Sequence, residues 1–269
     1  MLEALLAALF GLIVGSFVNV AVLRRGLRYS FTGFNAPSRC LSCKARLRTL
    51  DLIPVLSWLM LRGRCRSCKS AISLQYPLVE GLTALCFFLL VLARPPMMEV
   101  LLGLPLIALL IAISVYDMRH TVMPDAWVWS AAALALLILA SGGEPFVFAL
   151  AAGPAIAAPL LSLWALSGGR WMGLADAKLA LSIGWLLGPL GGFLALVLSF
   201  VLGALVSVGI LLPLPSIVTV LRRWGIARGS VASSYTMKSE VPFGPFMVSA
   251  CLIVWFVLLY DIHIPPYIV

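Results

Sequence analysis

Two aspartates are candidates for catalysis because carboxylates are scarce in this chain, which has 10 acidic residues among 269. Asp117 ends one apolar stretch, and Asp176 begins another. A carboxylate at the edge of a membrane's hydrocarbon core is costly unless it is paired, hydrated or used in chemistry. If the two converge, one keeps a proton while the other ionises, so that the pair can activate a water against a peptide carbonyl. The alternative is that each carboxylate is satisfied separately, for instance Asp176 by Lys178.

Four cysteines form two C-x-x-C pairs, in which Cys40 is followed by Cys43 and Cys65 by Cys68. Each pair can place two thiolates on a tight turn, and two such turns supply the tetrahedral sulfur set of a structural zinc site. The surrounding Lys and Arg residues favour the thiolate form. We therefore expect a structural zinc ion bound by these four cysteines. Two disulfides or a redox pair are the alternatives.

The composition indicates which elements must position these residues. Apolar residues make up 62% of the chain and charged residues 11%, with a mean hydropathy of +1.10, whereas a soluble domain is closer to half apolar and a quarter charged. A soluble globular protein, a disordered chain and a disulfide-stapled secreted module are thereby excluded. We expect an all-α polytopic membrane protein with about eight transmembrane helices and a small zinc-binding cytoplasmic loop domain. The apolar runs lie at 2–23, 72–93, 100–116, 126–140, 146–166, 174–187, 193–212 and 243–260.

The basic residues predict how these helices are oriented in the membrane. If all eight runs span the bilayer, one side receives every one of the 19 Lys and Arg residues except Arg94. The positive-inside rule makes that side cytoplasmic, with both termini outside. The net charge of +9 then reflects orientation, and no nucleic-acid partner is expected. The first run lacks a basic segment before it, which favours a permanent helix over a cleaved signal peptide.

Two further acidic residues lie near predicted helix starts. Glu80 lies inside the start of the second helix, where an acid in the first turn stabilises a helix N-terminus. Asp125 follows Pro124 and precedes a helix, so that we predict it to be an N-cap.

Short motifs follow one another along almost the whole chain. They are Gly15 to Val20 with Arg24 and Arg25, Pro37 to Cys43, Asp51 to Trp58, Arg62 to Cys68, Ile72 to Glu80, Asp117 with Pro124 and Asp125, the segment around Asp176, and Val241 to Phe246. In this order, and with the double C-x-x-C, they resemble the type IV prepilin peptidases. That family consists of GxGD-type aspartic proteases of the bacterial inner membrane, many of which are also N-methyltransferases.

The resemblance implies that Asp117 and Asp176 are catalytic. It implies cleavage, on the cytoplasmic side, of the basic leader of type IV prepilins or of type II secretion pseudopilins. Many members then methylate the new N-terminal residue with S-adenosylmethionine as methyl donor. The residues that bind this donor are unknown, with Glu80 a candidate contributor. The resemblance also implies a bacterial inner-membrane location, so that the termini predicted to lie outside from the loop charges would lie in the periplasm.

The resemblance also predicts how the chain is organised. A first transmembrane helix occupies 1–23, a Cys₄ zinc-binding module associated with methyltransferase activity occupies 24–75, and a membrane peptidase domain occupies 76–269. The partners implied are prepilins or pseudopilins and the lipid bilayer.

One departure from the family pattern lies beside the second aspartate, where the motif has Ala175 in place of its second glycine. If that glycine supplied a positive φ or a close helix approach, alanine would shift the Asp176 side chain. We interpret the change as variation in an active enzyme. A catalytically impaired pilin-binding homologue is one alternative. The other is a proton-coupled transporter that uses the aspartates as a relay, although the chain lacks the inverted repeats typical of transporters.

Overall fold

The computed structural model describes residues 1–26, 38–142, 146–211 and 241–260, with the side chains of 146–148, 210 and 211 left out. Within these ranges the fold is helical, and its β pairings are two isolated bridges. Short turns of 3₁₀ and π helix occupy Thr49–Leu52 and Ser207–Leu211. The α-helices are α1 (Leu2–Gly26), α2 (Leu56–Met60), α3 (Gln75–Leu92), α4 (Met97–His120), α5 (Asp125–Ser141), α6 (Phe146–Ser167), α7 (Leu174–Val206) and α8 (Gly244–Leu259).

The lengths of these helices agree with a membrane protein. Among the described residues, α1, α3, α4, α6 and α7 contain segments that are long and apolar enough to cross a bilayer, and α5 and α8 are shorter apolar helices. The expectation of an all-α membrane fold is thereby confirmed.

Helix α7 consists of two segments that fold back on each other. Gly188 adopts φ 72° and ψ −176°, a backbone conformation that favours glycine. Pro189 follows it and has no N–H to continue the helix. A Cβ atom on Gly192 would lie 3.2 Å from the Cα of Gly184, although a straight helix would separate these residues by about 12 Å. The chain therefore reverses at Gly188. Counting both segments, the described residues hold eight apolar helical segments, which agrees with the sequence prediction.

Hydrogen bonds between helices define two opposite faces of the bundle. On one face Arg119, in the last turn of α4, donates to Gln75 at the start of α3. We call this the aspartate face because Asp117 lies in the same turn of α4. On the other face Trp255, in the last turns of α8, donates to Glu99 in the first turn of α4.

The two helices that carry the aspartates have two neighbouring helices in common. Helix α4 packs against α1, α3, α5 and α8, whereas α7 packs against α5, α6 and α8. The middle of α4 forms the centre of the core, with Leu106, Ile107, Leu110 and Ile113 at most 1% exposed. The positions of Asp117 and Asp176 relative to each other are therefore set largely through α5 and α8.

Candidate active site and metal centre

Asp117 lies in the last turn of α4 and is 4% exposed. The backbone N–H of Gly244 donates to its Oδ2 atom at 3.0 Å. Since Gly244 is the first residue of α8, the carboxylate lies at the positive end of that helix dipole. A Cβ atom on Gly244 would lie 2.7 Å from the same oxygen, so a larger residue would collide with the carboxylate. Although Gly244 lies in one of the recognised motifs, sequence reasoning gave it no role.

Asp176 lies in the first turn of α7 and is 8% exposed. Its Oδ2 atom accepts a hydrogen bond from the backbone N–H of Gly173 at 3.1 Å. Ala175 lies within the helix, has no positive φ and packs against the core. The backbone at this position therefore does not require glycine, and alanine is compatible with the observed placement of Asp176.

The structure brings the two aspartates together at one face of the bundle. Asp117 and Asp176 come from different helices, and their side chains are close enough for their charges to interact. Each carboxylate is held by a backbone N–H at the start of a helix, namely that of Gly244 for Asp117 and that of Gly173 for Asp176. Each of these hydrogen bonds orients one carboxylate, and acid–base chemistry on a bound substrate requires oriented groups.

Lys178 does not neutralise Asp176. Its Nζ atom lies 2.6 Å from the Oδ1 atom of Asp125 and 6.0 Å from the centre of the Trp129 ring. The N-cap of α5 is Pro124, and Asp125 is the first residue of the helix, so the prediction that Asp125 is the N-cap is wrong. The carboxylate of Asp125 pairs with the Lys178 ammonium group, and this ion pair connects the starts of α5 and α7.

The four cysteines of the C-x-x-C pairs form one cluster that could hold a metal ion. Their sulfur atoms all lie within 4.8 Å of one another. The Sγ atoms of Cys40 and Cys68 are 3.9 Å apart, close to the edge of about 3.8 Å in a tetrahedron with metal–sulfur bonds of about 2.3 Å. All six cysteines are free thiols, so the disulfide alternative is not supported.

Two similar turns present the cysteines. In the first turn, Cys40 donates its backbone N–H to the carbonyl of Ala45 at 2.9 Å and accepts from the N–H of Lys44 at 3.0 Å. Lys44 has φ 60°, which lets the chain turn back after the second cysteine. The second turn repeats this pattern with a donation from Cys65 to Ser70 at 2.8 Å, a donation from Lys69 to Cys65 at 3.0 Å and φ 59° at Lys69.

The pKa values of neighbouring thiols in the cluster are shifted in opposite directions. Backbone N–H groups of Cys43 and then Ser42 lower the pKa of Cys40 to about 6. At Cys43, the backbone N–H of Ala45 acts to lower the pKa, but the neighbouring Cys68 thiol and burial raise it to about 11. Four thiolates at this spacing repel one another unless a cation lies between them. Such a donor set suits a soft divalent metal ion.

The segment between α1 and α3 that contains the four cysteines is called the metal module here. Further contacts hold this module together and connect it to the membrane helices. Arg66 donates to Oδ1 of Asp51 from Nε at 2.9 Å and from Nη2 at 2.7 Å, which lowers the pKa of that carboxyl. Glu80 is 6% exposed and accepts from the N–H of Val55 at 2.7 Å. Val55 has φ 59° and ψ −52°, a strained conformation for a β-branched residue.

Glu80 does not have the helix-start role that we expected, and its contribution to binding the methyl donor stays a prediction. It is the sixth residue of α3 rather than part of its first turn, so the expectation that it stabilises the helix N-terminus is wrong. Its buried carboxylate anchors the strained turn at Val55 to α3. Sequence spacing carried no signal for this contact, because it joins two segments through space.

Two family models match the chain. The model described as Bacterial Peptidase A24 N-terminal domain matches residues 9–94. The model described as Type IV leader peptidase family matches residues 104–208. The first range contains the four cysteines and Glu80, and the second contains both aspartates.

Curated relatives match over different lengths. A prepilin leader peptidase/N-methyltransferase of Pseudomonas putida is 33% identical over 276 aligned residues, which cover 91% of this chain and 87% of the relative. A protein of the same name from Aeromonas salmonicida is 31% identical over the same shares of both chains. A type 4 prepilin-like proteins leader peptide-processing enzyme of Escherichia coli is 43% identical over 138 residues, 45% of this chain and 51% of the relative. No solved structure matches the chain significantly.

Proposed function

The chain belongs to the type IV leader peptidase family, and we propose from this premise that it is a membrane aspartic endopeptidase that removes the basic leader of type IV prepilins or type II secretion pseudopilins. The observation that carries the proposal is the approach of two buried carboxylates, those of Asp117 and Asp176, from separate helices at one face of the bundle. Relatives named prepilin leader peptidase/N-methyltransferase support the substrate class.

In the proposed mechanism the two carboxylates share one proton. The ionised member takes a proton from a water molecule, whose oxygen attacks the scissile carbonyl carbon, while the protonated member donates to the carbonyl oxygen. Collapse of the tetrahedral intermediate breaks the carbon–nitrogen bond. The amine leaves with a proton from the carboxyl that took one from water, and the hydroxyl formed from the carbonyl oxygen returns its proton to the carboxylate that had donated it, so that the pair again shares one proton. The N–H groups of Gly244 and Gly173 hold the two side chains during these transfers.

We propose that the aspartate face is cytoplasmic and that the protein lies in the bacterial inner membrane. Support comes from the basic residues at helix ends on that face, among them Arg24, Arg25, Arg119, Arg170 and Lys178, which the positive-inside rule assigns to the cytoplasm. Both termini are then periplasmic. A bond between a basic leader and an apolar pilin helix would lie at the depth of the two carboxylates.

We also propose that the enzyme methylates the new N-terminal residue, with S-adenosylmethionine as donor. The names of the relatives support this second activity. The division into a first helix at 1–23, a methyltransferase-associated zinc module at 24–75 and a peptidase domain at 76–269 stays a prediction.

One experiment tests both activities at once. The protein is co-expressed with a type IV prepilin, and the N-terminus of the pilin is identified by mass spectrometry. We expect loss of the leader and the mass increase of one methyl group. Intact prepilin would contradict the peptidase proposal and favour a pilin-binding homologue, whereas proton-coupled solute uptake in reconstituted vesicles would favour a transporter.

We propose that the cysteine cluster binds zinc in a structural role, since all four ligands come from the protein and no coordination position remains open for catalysis. We expect the purified protein to contain about one zinc ion per chain, and the variant Cys65→Ser to lose it, as measured by elemental analysis. Cys65 is the informative ligand because it is 4% exposed, so its thiol lies inside the module.

The matched control is Cys86→Ala, which removes a buried thiol from α3 outside the metal module. This variant is expected to retain its zinc. Equal zinc content in Cys65→Ser and in the unmodified protein would contradict the assignment of the ligands.

A further inference from the structure

A bridge of hydrogen-bonded side chains crosses from the first helices to the turn that contains Asp117. The Nε2 atom of Gln75 on α3 donates to Oδ1 of Asn19 on α1 at 3.1 Å. The Oε1 atom of the same Gln75 accepts from Nε of Arg119 on α4 at 2.7 Å. We call Asn19, Gln75 and Arg119 the amide bridge.

Backbone carbonyls determine which atoms of the amide bridge donate and which accept. Asn19 is 1% exposed, and its Nδ2 atom donates to the carbonyls of Gly15 and Tyr76, both at 3.3 Å. These contacts leave Oδ1 facing Gln75. Because an amide oxygen only accepts, Gln75 donates through Nε2 and presents Oε1 on its other side. Arginine has donors and no acceptor, which makes Arg119 the fitting third member.

Arg119 connects the amide bridge to the turn of α4 that contains Asp117. It lies two residues after Asp117, in a turn that ends at Thr121 with φ 52° and a hydrogen bond of 2.8 Å from the Thr121 N–H to the Asp117 carbonyl. Gly244 contacts the same turn from α8. The end of α4 is therefore held from two directions, by the amide bridge and by the start of α8.

The bridge matters because α4 packs less extensively on α1 and α3 than those two helices pack on each other. Helices α1 and α3 are in close backbone contact, since a Cβ atom on Gly15 would lie 2.7 Å from the Cα of Glu80. On the same face, Arg25 at the end of α1 lies 4.9 Å from the centre of the Trp127 ring on α5. Polar contacts at the aspartate face thus supplement the apolar packing between these helices.

We propose that Gln75 is a positioning residue for the peptidase reaction, which acts through Arg119 to orient the turn that contains Asp117. The peptidase centre then depends on α1 and α3 as well as on α4 and α7, the helices that carry the two aspartates. This inference rests on the proposed peptidase function. It predicts an effect on kcat rather than on KM, because the bridge sets the geometry of a reacting carboxylate and Gln75 acts on it from a distance.

The test compares Gln75→Met, which removes both links at similar size, with Gln75→Glu, which keeps an acceptor for Arg119 and loses the donor to Asn19. We expect Gln75→Met to lower kcat for prepilin cleavage by about 10- to 100-fold, with KM unchanged within about twofold. Gln75→Glu should lie between Gln75→Met and the unmodified enzyme. Arg119→Met should add nothing to Gln75→Met, because both break the same link.

A second measurement does not depend on activity. In detergent-solubilised protein, amide hydrogen exchange of the segment 114–122 should become faster in Gln75→Met, because that turn of α4 loses one of its two attachments. The control is Thr83→Val, which removes a buried hydroxyl from α3 whose hydrogen bond, to Val79 at 2.7 Å, lies within the helix. It should change neither kcat nor exchange at 114–122.

The outcomes separate this inference from the proposed function. If the unmodified enzyme cleaves prepilin and Gln75→Met does so at the same kcat, the positioning role is wrong and the peptidase function stands. If the unmodified enzyme does not cleave, the peptidase function fails, and unchanged exchange at 114–122 in Gln75→Met would refute the bridge as well. A loss of activity that appears in KM alone would also overturn the proposal.

Discussion

Replacement of either Asp117 or Asp176 by asparagine will leave prepilin uncut in a co-expression assay. Asparagine keeps the size of the side chain and an oxygen that can accept the backbone N–H of Gly244 or Gly173. It cannot take up or release the proton that the proposed mechanism moves. We expect each single variant to lower the cleavage rate by about 10³-fold or more. The double variant should be no slower than either single variant, because the two carboxylates act as one unit.

The control for this prediction lies at the other end of the same helix. Glu99, in the first turn of α4, accepts a hydrogen bond from Trp255 at 3.2 Å on the face opposite the aspartates. Glu99→Gln keeps that acceptor and makes the same change of charge, so cleavage should continue at the original rate. Undiminished cleavage by both aspartate variants would refute the catalytic assignment.

Substitution of Gly244 by alanine will impair cleavage although it changes no catalytic group. The added Cβ atom would lie 2.7 Å from Oδ2 of Asp117 and 2.8 Å from Cε of Met123, both well inside normal contact distance. The methionine end can move aside, but the carboxylate has to rotate or shift from its position against the Gly244 N–H. We expect a rate loss of about 10- to 100-fold, because a displacement of a reacting group by about 1 Å is sufficient for such a loss.

Two further variants identify which contact matters. Gly81→Ala adds the same methyl group to α3, at a site with no atom within 4 Å of the new Cβ, and should cleave normally. Met123→Ala combined with Gly244→Ala relieves the contact with methionine alone, so activity should stay low. Full recovery in that double variant would mean that crowding of Met123, rather than of Asp117, causes the loss. Normal activity of Gly244→Ala by itself would contradict the prediction directly.

Local patterns were sufficient to single out the candidate catalytic residues and the candidate metal ligands, which stay predictions. The cysteines were identifiable because two of them three positions apart fit one turn, and the structure has two such turns with the four sulfurs together. The aspartates were identifiable because a carboxylate beside an apolar run is rare and costly. Both signals depend on residue type and short spacing, which one sequence displays.

The interactions of Lys178 and Glu80 were not predictable in the same way. Lys178 lies two positions from Asp176, and this proximity suggests an ion pair between them. In the structure, Lys178 pairs with Asp125 on α5 instead. The sequence places Glu80 at a helix start, whereas in the structure its carboxylate accepts the backbone N–H of Val55. In each case the partner lies on a segment that the fold brings near, 53 positions away for Lys178 and 25 for Glu80.

The apolar runs by themselves determined a membrane bundle of eight helical segments, because the length and hydropathy of a segment are local properties that decide whether it can cross a bilayer. The charges of the loops by themselves determined a predicted orientation. Which groups contact the carboxylates was decided by the packed structure, because Gly244 reaches Asp117 across 127 positions of the chain. Contacts of that kind depend on how helices approach one another, and no spacing along a single chain specifies that approach.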